Sequence, residues 1–153
     1  MNFTESELAI LLADLSKVVV GDIEWSVDED HSPSVEFRVE IASSAGYPLF
    51  VRGSYNPLAQ ALTYAIIHAR CRRVYALDLG KDHPNPPGGE SVGEKHKHTW
   101  TDLYKDKWAY VPSDITHSAN KPIEVWKEFC AEAKISHQGV MQAPPAHQPG
   151  LFS

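Results

Sequence analysis

Cysteine is scarce in this chain and never paired. Cys71 and Cys130 are the only two among 153 residues. They stand far apart with no Cys-x-x-Cys, which excludes a zinc ribbon and leaves two thiols suited to a reducing compartment. Long apolar runs are also absent: none approaches the roughly 20 residues that a membrane helix needs. The opening Met-Asn-Phe-Thr-Glu-Ser-Glu carries acid where a signal peptide carries base. A soluble, cytoplasmic protein with no membrane partner is therefore expected. Positive charge is in short supply, the formal net charge being −6. Such a chain has no general attraction for nucleic acid, and a polyanion would need a local basic patch. Familiar catalytic signatures are missing as well. No Gly-x-Gly-x-x-Gly follows a strand, Gly88-Gly89 lacks the Lys-Ser/Thr of a P-loop, and no Gly-x-Ser-x-Gly occurs.

What remains is a globular composition, 42% hydrophobic and 22% charged, at the size of one domain. That domain is expected over residues 1–139, with 140–153, rich in proline and glutamine, as a flexible C-terminal tail. Thr4 and Glu7 form a capping box, and Leu8, Leu11, Leu12 and Leu15 follow at helical spacing, which predicts a helix over 5–17. The β-branched run 18–20 stops at Gly21-Asp22. A short strand is expected over 23–27 and a charged turn over 28–33. Val35, Phe37, Val39 and Ile41 alternate with Glu36, Arg38 and Glu40, the pattern of a half-buried strand. A turn over 43–46 joins it to a partner at 47–52. Residues 57–69 admit either a helix opened by Pro57 or a strand, and their Tyr, Thr and Ile content favours the strand. A strand follows over 72–79. Residues 81–93, with their prolines and glycines, form a loop of around 13 residues, a length that is usually functional or disordered. Strands are expected over 95–100 and 107–111 around a Tyr-Lys-Asp turn. Pro122 opens a helix whose Ile123, Trp126, Phe129 and Cys130 share a face. Trp25 and Trp126 read as core. The sum is an α+β fold: a mostly antiparallel sheet of about six short strands between an N-terminal and a C-terminal helix.

The chemistry concentrates between Leu77 and Tyr110. On a strand, His96 and His98 project to the same face. With His83, and Asp78 or Asp82, they could ligate a metal. Lys95 and Lys97 interleave with them, however, and positive charge opposes a cation. The favoured reading is therefore an anion site without metal or other cofactor. In it, His96 and His98 with Lys95, Lys97, Lys105 or Lys107 make a basic patch. Arg70, Arg72 and Arg73 add charge, and Trp100, Tyr104, Trp108 and Tyr110 offer stacking surfaces for a base. Cys130, mid-helix on the apolar face, reads as core rather than nucleophile.

The pieces Leu77-Asp78-Leu79-Gly80, His83-x-Asn85-Pro86, Gly93-x-x-His96-x-His98 and Asp106-Lys107-Trp108-Ala109-Tyr110, in that order, resemble a family of small proteins of bacteria, phages and other mobile elements. Phe129-Cys130, Ile135 and Gln138-Gly139 extend the likeness over roughly the second half of the chain. The resemblance implies a defence or counter-defence context, and it marks His83, Asn85, His96, His98, Lys107, Trp108 and Tyr110. Two functions are then expected. One is a factor binding a phosphate-bearing ligand, such as a nucleotide signal, or a defence-system protein, with Arg72 and Arg73 added to the marked residues. The other is a metal-independent endoribonuclease of toxin type. Its catalytic residues would be His96 and His98 as general base and acid, with Tyr110.

Overall fold

The computed structural model describes residues 2–146. Helix α1 (Glu5–Ala13) starts where Thr4 Oγ1 accepts from the Glu7 amide at 3.1 Å. It ends a turn earlier than its leucine spacing suggests. The Lys17 ammonium folds back on the carbonyls of Leu11, Leu12 and Asp14 at 2.6, 3.2 and 2.5 Å, and so caps the free acceptors of the last turn. Leu15 is consequently outside the helix and exposed, while Leu8 and Leu11 are buried.

Among the described residues nine strands follow the helix: β1 (Val18–Val20), β2 (Ser26–Val27), β3 (Val35–Ile41), β4 (Leu49–Asn56), β5 (Ala61–His68), β6 (Arg73–Leu79), β7 (Lys95–Thr101), β8 (Lys105–Tyr110) and β9 (Ser136–Gln138). Helix α2 (Pro122–Ala133) precedes β9. Strands β2 to β8 form one antiparallel sheet of seven in chain order, and β1 pairs in parallel with β9. The α+β expectation with a mostly antiparallel sheet holds. The ambiguous segment is strand β5, with Leu62, Tyr64, Ile66 and His68 buried. The strand expected over 23–27 is shorter. Ile23 instead bridges Met141, whose side chain is buried. The Gln142 amide donates to the Ile23 carbonyl at 2.8 Å. The chain therefore stays docked past residue 139, where a tail was expected. Residues 147–153 of that tail lie outside the described residues.

Alternation sorts the sheet into two faces. Phe37 (β3), Gly53 (β4), Tyr64 (β5) and Leu77 (β6) share one face across the register. Helix α2 covers it: Trp126 stands 5.2 Å from Tyr64 and 5.9 Å from Phe37 by ring centroid. Gly53 leaves room for the Phe37 ring, which a Cβ there would overlap. Trp25 and Trp126 are core, as their sequence context suggests. The opposite face carries Thr63 on β5, Asp78 on β6, and His96 and His98 on β7.

Candidate metal centre

Three side chains meet on that second face because of strand register. Asp78 lies directly across from His96, with Thr63 on its other side. His98 is two residues along β7, between Ala76 and Ala109. These two small neighbours leave space for imidazole. Asp78, His96 and His98 are 7%, 1% and 4% exposed. Taking such groups out of water costs several kcal/mol per ion unless each is compensated.

Their tautomers follow from their partners. A main-chain carbonyl can only accept, so a ring nitrogen bonded to one must carry the hydrogen. His96 Nδ1 donates to Gly93 O at 2.9 Å and His98 Nδ1 to Asp106 O at 3.1 Å. Both Nε2 atoms therefore point their free positions inward. They are 3.2 Å apart. Asp78 Oδ2 lies 3.3 Å from the first and 3.1 Å from the second. The other carboxylate oxygen accepts from Thr63 Oγ1 at 2.5 Å. Two imidazole lone pairs and a carboxylate oxygen cannot share this space unless a positive charge sits among them. A proton on one ring supplies it in part. Burial would raise the Asp78 carboxyl, but the His96 and His98 rings, once an extra proton sits on Nε2, donate to it together with the Thr63 hydroxyl; these bonds outweigh burial and hold the group far below the ordinary carboxylate range. Burial likewise opposes charge on His96, but Asp78 and the Gly93 carbonyl raise its proton affinity.

The triangle also has the dimensions of a coordination face. Donors 2.0–2.1 Å from one ion are about 3.3 Å apart in a tetrahedron and about 2.9 Å apart in an octahedron. Edges of 3.1, 3.2 and 3.3 Å lie close to the tetrahedral value. Histidine held through its second nitrogen by a carbonyl, and carboxylate held by a hydroxyl, are the outer-shell arrangement of metal sites.

The segment 81–93 straps over this region. Gly80 starts it with φ +85, in a place where a Cβ would collide with the Gln60 carbonyl. Asp82 ties the strap to itself. Its carboxylate accepts from Ser91 Oγ and from the amides of Gly93 and His83, which lowers its proton affinity. Asn85 docks on the open edge of β8, donating to Ala109 O at 2.8 Å and accepting from Ala109 N at 2.7 Å. His83 Nε2 donates to Lys107 O at 2.6 Å. Its ring lies 4.5 Å from that of His98 and 5.6 Å from that of His96.

Of the residues expected to form the site, His83, Asn85, His96 and His98 come together. The others are held elsewhere, with Arg73 at the border of the cluster. Lys95 and Lys97 alternate to the α2 face, where Lys95 Nζ donates to Ile115 O at 3.0 Å. Lys97 is fully buried against Asp114 at 2.7 Å and Glu132 at 3.3 Å. The interleaving of lysine and histidine in sequence is thus a separation in space. It removes the ground for preferring an anion to a cation at the histidines. Tyr110 is on the lysine side too, its hydroxyl 2.7 Å from that of Tyr75, which donates to Glu132. Lys107 contributes its carbonyl, not its ammonium. Trp108, 37% exposed, stacks on Tyr104 at 5.8 Å. Arg73 pairs with the Asp106 carboxylate at 3.3 Å and donates to the same Asp106 carbonyl that accepts from His98, so it borders the cluster, while Arg72 lies over Trp100. Between the two carboxylates weighed as ligands, register selects Asp78. Its visible signal is an acid within the run Val74 to Leu79, whose other residues are apolar or aromatic. Thr63 had no signal of its own, since its role depends on the β5–β6 pairing.

The fold and this cluster define a small α+β protein with a buried Asp-His-His centre. Residues 3–135 match the model of a family of unknown function (DUF6978), and the chain belongs to that family. Neither the curated proteins nor the solved structures gave a match.

Proposed function

We propose that this protein binds a divalent transition-metal ion through Asp78 Oδ2, His96 Nε2 and His98 Nε2. The single observation that carries the reading is the convergence of these three donors within 4.8 Å of one another, with both imidazoles fixed by carbonyls in the ligating tautomer. Two imidazoles and a carboxylate suit zinc first, and iron among its competitors. The metal reading is preferred to the anion site because the ammonium groups of Lys95 and Lys97, which interleave with the histidines in sequence, lie on the other face. It also differs from a metal-free histidine pair, because the Asp78 carboxylate stands at both rings while Tyr110 bonds Tyr75 on the other face.

The test is metal analysis of protein purified without chelator, followed by calorimetric titration with zinc, iron(II) and manganese. One ion per chain is expected in the wild type and none in His96→Ala/His98→Ala, with the circular dichroism of the two proteins alike. A wild type that takes up no metal would refute the proposal.

A further inference from the structure

We propose that His83 is the fourth ligand, through Nδ1, and that the bound ion clasps the 81–93 strap to the sheet; this rests on the metal centre proposed above. The inference comes from a pattern shared by all three histidines. Each gives one N–H to a main-chain carbonyl: His96 to Gly93, His98 to Asp106 and His83 to Lys107. Each then keeps one lone pair on the other nitrogen. For His83 that nitrogen is Nδ1, so ligation there needs no proton to leave and leaves the bond to Lys107 intact.

The ring positions agree. Two imidazoles on one tetrahedral ion have centroids about 5.2 Å apart, from a metal–nitrogen distance of 2.0–2.1 Å plus the ring radius. The three centroid distances are 4.9 Å for His96–His98, 4.5 Å for His83–His98 and 5.6 Å for His83–His96. They bracket that value, so the three rings are spaced as they would be around one ion. Among the described residues only Asp78, His96 and His98 have donors within 4.8 Å of one another, so His83 completes the set by an inward movement of its strap. The strap is built to carry the ring. Asp82 closes it at the base, Asn85 anchors it on β8, and Gly88 and Gly89 at its tip are exposed.

A three-histidine, one-aspartate shell is closed. The ion then has no open position for a substrate, and its role is to set the conformation of a surface loop. Metal supply becomes the signal, and the shape of residues 81–93 becomes the response.

Cobalt(II) substitution tests this, because four-coordinate cobalt absorbs visible light far more strongly than six-coordinate cobalt. The wild type should give intense bands, and His83→Ala pale ones with affinity lowered on the order of 10–100-fold. Added imidazole should restore the intensity in the variant. Hydrogen exchange at Val92 and Gly93 should slow on metal binding in the wild type and not in His83→Ala. Pale wild-type cobalt protein, or a variant as intense as the wild type, overturns the fourth ligand and leaves the three-ligand centre standing. No metal uptake by the wild type overturns both. If His83→Ala does not fold, the ring nitrogen resonances of His83 in the wild type decide: Nδ1 should shift on zinc binding, and an unmoved Nδ1 overturns the fourth ligand.

Discussion

Lys17 and Glu128 each close a helix-linked turn with a charged group. Lys17 supplies one ammonium to three carbonyls at the end of α1. Burial lowers its proton affinity, yet the carbonyls keep its hydrogens occupied. Lys17→Met should leave those acceptors unpaired and cost about 2–3 kcal/mol by urea denaturation at neutral pH. Glu128 on α2 accepts from the Thr116 amide at 2.9 Å and hydroxyl at 2.7 Å, and from the His117 amide at 3.1 Å. Partial burial would raise its carboxyl, but these bonds prevail and bring it to about 2 from an ordinary 4.5. A carboxyl lowered on folding stabilises the protein above its unfolded value, and that contribution is lost as pH falls from 4.5 toward 2. Glu128→Gln should therefore lower stability by about 1–3 kcal/mol at pH 7. The gap to the wild type should narrow through the acid window, as parallel denaturation series at several pH values would show. Cys130 illustrates the opposite case. Burial pushes its thiol up to about 12, so it stays protonated and should resist alkylation until the protein unfolds.

At the scale of elements, β7 is the pivot. Its even-numbered histidines serve the metal face, and its odd-numbered lysines serve the α2 face, where Lys97 neutralises Asp114 and Glu132. One strand thus keeps like charges apart by its pleat alone. The strap depends on β8 for its hold. Asn85 occupies the N–H and C=O of Ala109 as a neighbouring strand would, and so covers part of an edge that would otherwise invite pairing. Asn85→Ala should cost about 1–2 kcal/mol. The Ala109 amide should lose hydrogen-exchange protection while amides in β4 and β5 keep theirs.

For the whole molecule, an ion bound only by the folded state adds stability by mass action. Zinc at a hundred times its dissociation constant should contribute about 2.7 kcal/mol. In a domain of this size that moves the melting temperature up by several degrees, and a chelator should reverse the shift. Ligation requires neutral imidazoles, and against burial Asp78 raises the proton affinity of His96, so the zinc-induced shift should start to shrink with falling pH above the range of an ordinary imidazole. No helix among the described residues is long and apolar enough to cross a membrane.

The sequence by itself determined the local frame. Alternation in 35–41, the capping box at Thr4 and the proline at the start of α2 each express short-range sterics and hydrogen bonding, which neighbours in the chain decide. It also marked His83, His96 and His98, because histidines crowded beside a glycine- and proline-rich loop are uncommon in scaffold, while Asn85 was marked by the resemblance alone. Two things were beyond it. Helix α1 stops early because a lysine four residues on turns back to cap it. Ser136–Gln138 becomes a strand only because Val18–Val20 lies beside it in space. The nature of the site belongs to the tertiary structure above all. Side chains two apart share a face and side chains one apart do not, so the lysines were removed from the histidines by the pleat. Asp78 was brought to them by the pairing of β6 with β7, a contact between residues 18 positions apart in the chain.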